Sequence, residues 1–149
     1  MNPASRDHSC GKKWPSVVEK LESKGFEVIS HMTERVGHAS EIAWKLRRDS
    51  VSGPVVAVGG DGTVHEVASA LRGSEIPLGI IPMGSGNDYA ITQGISRRSV
   101  DHAIKVLETG EDRWCAAWRL EGYAAESLDN YLRLVMMSGM ANLSMMGVL

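Results

Sequence analysis

Hydrophobic residues recur at helical spacing in four stretches of the chain. In residues 14–24, for example, Val17, Val18 and Leu21 share one face of a helix, and polar residues separate them. The same spacing predicts further helices over residues 37–49, 63–71 and 98–108. A turn followed by a short helix is expected over residues 86–94.

Short apolar stretches lie between these predicted helices. Residues 55–58 and 77–81 are almost wholly apolar, which is typical of strands buried on both faces of a parallel sheet. Residues 26–32 alternate between polar and apolar side chains and include β-branched residues, so they predict another strand. Because helices and strands alternate, the pattern predicts an α/β fold with a mostly parallel sheet flanked by helices.

The pattern changes near residue 112. Residues 113–120 and 131–137 predict two strands with no helix between them, and a small, methionine-rich stretch follows. We therefore predict an α/β domain over residues 1–112 and the start of a second, β-rich unit over residues 113–149.

Composition argues against several classes of protein. The formal net charge of −2 provides no basic field for nucleic acid, and no apolar run approaches the roughly 20 residues of a membrane-spanning helix. The first residues lack the apolar core of a signal peptide. Cys10 and Cys115 are far apart and the histidines are scattered, so neither residue type indicates a metal site. These features predict a cytoplasmic protein with reduced cysteines.

A glycine-rich turn follows the predicted strand at residues 55–58. Residues 59–62 read Gly-Gly-Asp-Gly, and Thr63 begins the predicted helix. Glycine can adopt positive φ and lets a ligand approach the backbone, while the following helix directs free N–H groups at the same place. Phosphate is the usual ligand of such a turn. The alternative is that Asp61 and Thr63 only cap the helix.

A second glycine turn follows the strand at residues 77–81. Residues 84–86 read Gly-Ser-Gly, and Asn87 and Asp88 open the next helix. Because parallel strands place their carboxyl ends at the same edge of a sheet, both turns are predicted to line one crevice that is open to solvent. The alternative for Asn87 and Asp88 is an ordinary helix cap.

These segments closely resemble the diacylglycerol kinase catalytic domain, in the branch of bacterial soluble lipid kinases. The resemblance is carried by GGDGTVHEV, by PMGSGNDYA, by the opening Asn2-Pro3-Ala4-Ser5, and by Thr33 four residues before Gly37-His38-Ala39. It covers roughly residues 2–112. NAD kinases share Gly-Gly-Asp-Gly-Thr but lack the second motif, so a NAD kinase-like enzyme ranks second within the fold.

The resemblance implies a kinase that transfers the γ-phosphoryl group of ATP, with Mg²⁺, to a lipid hydroxyl. It implies that Glu66 contacts the adenine or ribose side or caps a helix, and it does not choose between these. It also implies an Mg²⁺ ion near Asp61, which is the candidate catalytic residue. The implied ATP contacts are Asn2, Thr33, Gly60, Asp61, Gly62, Thr63, Val64, His65, Glu66 and Ser85. The implied cleft edge is Gly84, Gly86, Asn87 and Asp88.

Family members also have an apolar strand ahead of the Asn-Pro motif, and a β-rich second domain that resembles the source of the catalytic base. The printed sequence matches neither, so we expect an incomplete lipid kinase, and the alternative is a noncatalytic nucleotide-binding remnant or interaction module. The expected partners are a nucleotide and a lipid at a membrane surface, with possible homo-oligomers. The lipid acceptor is not identified by the sequence.

Overall fold

The computed structural model describes residues 1–5, 9–97, 99–119, 131–136 and 146–148, and for residues 111 onward it describes the backbone. Up to residue 109 the described residues form five helices and two strands, and the strands follow the second and the third helix. The helices are α1 (Ser9–Ser23), α2 (His38–Arg48), α3 (Asp61–Leu71), α4 (Asp88–Thr92) and α5 (Val100–Thr109). The strands are β1 (Val55–Gly59), β2 (Leu78–Pro82), β3 (Glu111–Arg119), β4 (Tyr131–Met136) and β5 (Met146–Val148).

The five described strands form a sheet in the order β1-β2-β4-β3-β5. Strands β1 and β2 are parallel and pair along their whole length, from Val55 opposite Leu78 to Gly59 opposite Pro82. Strand β4 is parallel to β2, β5 is parallel to β3, and β3 and β4 are antiparallel. The predicted α/β class with a mostly parallel sheet is therefore confirmed, while the division into domains at residue 112 stays a prediction.

The core lies between β1, β2 and the helices that flank them. Leu71 of α3 and the β2 residues Leu78, Ile80 and Ile81 are fully buried. Helix α2 packs against α3, and α5 packs against β2. Because β2 is buried along its whole length, it can be apolar throughout. No helix among the described residues has both the length and the apolar composition that a membrane span requires.

The strand predicted for residues 26–32 is wrong. The segment is irregular, and the side chains of Ile29 and Met32 are 76% and 58% exposed. A strand needs a hydrogen-bonding neighbour as well as an alternating sequence. Among the described residues, the backbone bonded to this segment is that of Met1, which donates to His31 and accepts from Thr33. Alternation in the sequence does not reveal which backbone lies beside a segment.

Candidate functional site

The two glycine turns lie side by side at the carboxyl ends of β1 and β2. We call residues 59–62 the first glycine turn and residues 84–86 the second glycine turn. The N–H of Met83 donates to the carbonyl of Gly59 at 2.8 Å, which extends the β1–β2 ladder into the turns. A Cβ atom placed on Gly84 would overlap Cα of Gly60. Both turns therefore share one edge of the sheet, as the crevice hypothesis requires.

Positive φ does not explain the glycines of the two turns. The glycines with positive φ are all elsewhere among the described residues, at Gly25, Gly37, Gly53, Gly73 and Gly94. Glycine is required at Gly59 and Gly84 by close contacts and not by unusual backbone dihedral angles. A Cβ atom on Gly59 would lie 2.6 Å from Oγ1 of Thr63, and one on Gly84 would lie 2.8 Å from the nitrogen of Gly60. The nitrogen of Gly60 belongs to the backbone and cannot move aside, and Cβ of Thr63 is also only 3.0 Å from the Cβ placed on Gly59, so both positions favour glycine.

Gly62 differs from these positions. No atom lies within 4 Å of a Cβ placed on it, its φ is negative, and the residue is exposed. It occupies the second position of α3, where glycine costs stability relative to alanine. Neither packing nor backbone conformation therefore explains the glycine.

Asp61 joins the two glycine turns. Its Oδ1 accepts a hydrogen bond of 2.9 Å from the backbone N–H of Tyr89 at the start of α4. Its Oδ2 lies 2.9 Å from the place a Cβ of Gly86 would occupy. The side chain makes no capping hydrogen bond to its own helix, because the N-cap of α3 is Gly60. The hypothesis that Asp61 and Thr63 only cap α3 is therefore wrong.

Asn87 fixes the shape of the second glycine turn. Its Oδ1 accepts from the N–H of Gly84 at 2.9 Å, and its Nδ2 donates to the carbonyls of Gly84 and Arg97 at 2.9 and 3.0 Å. The residue is 4% exposed and left-handed, with a φ of 59°. Its side chain points back into the turn, so the ordinary helix cap is wrong for Asn87. Asp88 instead lies at the surface in an ion pair with Arg97.

Three further predicted residues surround the first glycine turn. Nδ2 of Asn2 donates to Oγ1 of Thr63 at 3.3 Å, which places the Asn-Pro segment beside α3. Thr63 is 6% exposed and Thr33 is 9% exposed. The structure thus brings Asn2 and Thr63 into contact, and it attaches Thr33 to the same region through the N–H that donates to Met1.

Glu66 connects α3 to the beginning of α2. Its Oε1 accepts from the N–H of Gly37 at 3.0 Å, and its Oε2 accepts from the N–H of Ala39 at 3.1 Å. The carboxylate supplies the cap that Gly37, as the N-cap of α2, cannot supply itself. Of the two roles left open for Glu66, the structure supports the cap. A capping residue 27 positions away in sequence from Ala39 leaves no local signal.

The remaining predicted residues divide by exposure. Val64 is 3% exposed, so its side chain belongs to the core. His65 and Ser85 are exposed at the same edge of the sheet. The N–H groups of Thr63 and Val64 both donate to the carbonyl of Gly60. Within the described part of the chain the N–H groups of Asp61 and Gly62 have no hydrogen-bond partner, so these two donors remain free at the amino end of α3.

The chemistry of the site suits an anion better than a bare metal ion. Within the described ranges, no three histidine, cysteine, aspartate or glutamate side chains come together as a metal site would require. Free backbone donors and the amino end of a helix instead favour a negatively charged group. Asp61 is the carboxylate nearest these donors, and its Oδ1 is already used by Tyr89.

The chain is similar to proteins of known family in both sequence and structure. The family model for the diacylglycerol kinase catalytic domain matches residues 1–117. Diacylglycerol kinase of Bacillus subtilis is 34% identical over 116 residues, which are 75% of this chain and 37% of the relative. Lipid kinase YegS of Escherichia coli is 37% identical over 95 residues, 61% of this chain and 31% of the relative.

Solved structures show the same relationship. A crystal structure of a diacylglycerol kinase from Bacillus anthracis superimposes with a TM-score of 0.62 at 26% identity, over 77% of this chain and 43% of that one. The chain spans about a third of the length of the curated relatives it matches. The family match covers both glycine turns and the Asn-Pro segment, and we conclude that the chain belongs to the diacylglycerol kinase catalytic domain family.

Proposed function

We propose that the chain binds ATP with Mg²⁺ at the first glycine turn, as the nucleotide-binding part of a lipid kinase. In this proposal the γ-phosphoryl group is transferred to a lipid hydroxyl. Membership of the family and the placement of the two turns at one edge of the sheet support it. The observation that carries it is Gly62, a glycine for which the fold gives no reason.

Gly62 makes α3 less stable than alanine would at the same position. Glycine in the middle of a helix lowers stability by roughly 0.5–1 kcal/mol relative to alanine, which sets an upper bound for Gly62 in the first turn of α3. A Cβ at this position would meet no protein atom, and the unpaired N–H groups of Asp61 and Gly62 lie beside it. Glycine is useful there if a phosphate approaches the backbone closely enough for a side chain to interfere.

The residues fit a magnesium–nucleotide complex. Mg²⁺ in such sites is held by one or two carboxylates together with phosphate oxygens, so a protein-only cluster is not needed. Oδ2 of Asp61 has no described hydrogen bond and is the oxygen available to such an ion. When bound, Mg²⁺ would neutralise charge on the phosphates that take part in the transfer. The N–H groups of Asp61 and Gly62, and the exposed Ser85 and His65, would hold the phosphates in place.

Nucleotide binding is tested with Gly62→Ala. The variant should fold at least as stably as the wild-type protein, because alanine is the better helix former. Its affinity for ATP with Mg²⁺, measured by isothermal titration calorimetry, should fall about tenfold, a loss of about 1.4 kcal/mol. Ser69→Ala, on the same helix two turns further on, is the matched control and should bind like the wild-type protein. Equal affinity in all three proteins would remove the proposed site.

A noncatalytic nucleotide-binding module is the second candidate. The observation in its favour is that Oδ1 of Asp61 already accepts from Tyr89, which gives this carboxylate a structural role. Asp61→Asn separates the candidates, since the amide oxygen still accepts from Tyr89 while the charge is lost. The measurement is transfer of labelled phosphate from ATP to diacylglycerol in mixed micelles with Mg²⁺. Transfer by the wild-type protein that the variant loses supports the kinase, and binding without transfer supports the module.

A further inference from the structure

His102 on α5 accepts a backbone hydrogen bond through a ring nitrogen that can be protonated. The side chain is half-buried, and its Nδ1 accepts from the N–H of Ser96 at 3.0 Å. A ring nitrogen that accepts a hydrogen bond carries no proton, so this contact needs the neutral imidazole. On protonation Nδ1 becomes a donor that faces another donor, and the hydrogen bond is lost.

The bond from Ser96 closes a compact loop ahead of α5. The N–H of Ser99 donates to the carbonyl of Ser96 at 3.3 Å, and Oγ of Ser99 accepts from the N–H of His102 at 3.1 Å. We call Ser96, Arg97 and Ser99 the α5 loop. These hydrogen bonds tie the α5 loop to the first turn of α5.

The α5 loop is joined to the second glycine turn through Arg97. The carbonyl of Arg97 accepts from Nδ2 of Asn87 at 3.0 Å, and its guanidinium lies 2.7 Å from Oδ1 of Asp88. Asn87 in turn shapes the second glycine turn through its two hydrogen bonds with Gly84. A continuous series of contacts therefore runs from the imidazole of His102 to Gly84.

The charged groups around His102 offer little stabilisation to an imidazolium. His102 is the third residue of α5, and the amino end of a helix disfavours positive charge. The carboxylates of Asp101 and Asp88 are already paired, with Lys20 and Arg97 respectively. Strand β2, which packs on α5, has no titratable residue. The other titratable or charged residues of α5, of β4 and of the α1 ion pairs are Lys105, Glu108, Lys24, Tyr131 and Arg133.

We propose that His102 is a positioning residue for the second glycine turn, and that its protonation loosens this turn and lowers the affinity for the nucleotide. The effect on affinity rests on the proposed function, which puts the nucleotide at the edge of the sheet that both glycine turns share. Histidine changes its charge between about pH 5 and 8, so acidification in this range releases the α5 loop. The carbonyl of Arg97 then no longer holds Nδ2 of Asn87 in place.

The first measurement is amide hydrogen exchange of the full chain without nucleotide, by NMR, at about pH 7.5 and about pH 5.5. Rates are expressed as protection relative to an unstructured peptide at the same pH, because exchange itself depends on pH. Wild-type protection at Ser96 should fall about tenfold on acidification. Protection at Gly84, whose N–H donates to Asn87, should fall about threefold.

Two variants of His102 separate its charge from its role as an acceptor. In His102→Asn, Oδ1 stands near the place of Nδ1 and accepts without titrating, so protection at Ser96 and Gly84 should change little with pH. His102→Gln carries its oxygen further from the backbone, and at about pH 7.5 it should resemble the wild-type protein at about pH 5.5. His31→Asn removes an exposed histidine of the irregular segment and should follow the wild-type protein. If His102→Asn fails to fold, the wild-type protein and His102→Gln still decide the matter.

The second measurement is the affinity for ATP with Mg²⁺, by titration calorimetry at the same two pH values. Phosphate groups titrate in this range as well, so acidification also protonates ATP. That protonation is common to all the proteins, and the ratio of the two affinities is therefore compared between them. The ratio should be about threefold larger for the wild-type protein than for His102→Asn.

The two measurements fail in different ways. Equal responses of Ser96 to pH in the wild-type protein and His102→Asn would overturn the inference. So would a response at Ser96 that does not reach Gly84, since the imidazole would then serve the α5 loop alone. Equal affinity ratios would overturn the effect on the nucleotide. If both amides respond and none of the proteins binds ATP, the proposed function is overturned while the positioning of the second glycine turn is supported.

Discussion

The two glycine turns contain similar residues, but the first also contains a glycine that packing does not require. In the second glycine turn, Gly84 and Gly86 are in contact with Gly60 and Asp61 of the first, so packing leaves no room for a side chain. In the first glycine turn, Gly62 meets no neighbouring atom. The comparison teaches that a glycine motif combines positions required by the fold with positions available to a ligand, and that packing distances separate the two.

Gly84→Ala is expected to have the largest effect and addresses this comparison directly. The new methyl group would overlap Cα of Gly60, and neither backbone can move without breaking the β1–β2 ladder. Overpacking of this kind costs about 2–4 kcal/mol of unfolding free energy. Urea denaturation measures it, with Gly62→Ala as the control that should unfold no earlier than the wild-type protein. Equal midpoints for Gly84→Ala and the wild-type protein would contradict the packing argument.

Asn87→Ala should cause the next largest loss of stability. It removes the side chain that fixes the second glycine turn, and it does not alter the first. Three hydrogen bonds are lost, and the buried N–H and carbonyl of Gly84 lose these partners. We expect a loss of about 2–3 kcal/mol in unfolding free energy.

Asn87→Asp is the graded control for this substitution. Its carboxylate still accepts from Gly84 but cannot donate to Gly84 or Arg97, so its unfolding free energy should lie between those of Asn87→Ala and the wild-type protein. An aspartate variant less stable than the alanine variant would mean that charge burial, rather than hydrogen bonding, controls this position.

Glu66→Ala tests the cap that α3, the helix after the first glycine turn, provides to the amino end of α2. It removes both acceptors from the amino end of α2 and should cost about 1–2 kcal/mol. Hydrogen exchange at the N–H groups of Gly37 and Ala39 should accelerate, since these donors lose their partner. Glu66→Gln keeps one acceptor oxygen and should show a smaller change, and acceleration confined to other parts of α2 would contradict the capping role.

Local pattern predicted much of this architecture, and long-range contact determined the rest. Strand β1, strand β2 and the helix that follows each turn were predictable because burial and periodicity are written in neighbouring residues. The packing requirement for glycine at position 84 was not predictable, since it comes from Gly84 facing Gly60 across two strands. The cap formed by Glu66 was not predictable for the same reason, because its partners Gly37 and Ala39 are distant in sequence. Residues 26–32 have the alternation of a strand, but pairing depends on what lies beside them.

The smallest expected effect on stability comes from an exposed ion pair away from both glycine turns, between Arg35 and Glu41. The hydrogen bond from Arg35 lowers the pKa of Glu41 below its ordinary value of 4.5, and both side chains are exposed. Because the folded state binds its proton less tightly than the unfolded state, the pair contributes stability above pH 4.5 and loses it as the pH falls through the lowered pKa. Glu41→Gln should therefore lower the melting temperature slightly at pH 7 and by progressively less as the pH falls below 4.5, and added salt should reduce the difference. Glu19→Gln on α1, at a position for which no ion pair is described, is the matched control. A difference between Glu41→Gln and the wild-type protein that grows as the pH falls would show that the ion pair does not contribute in this way.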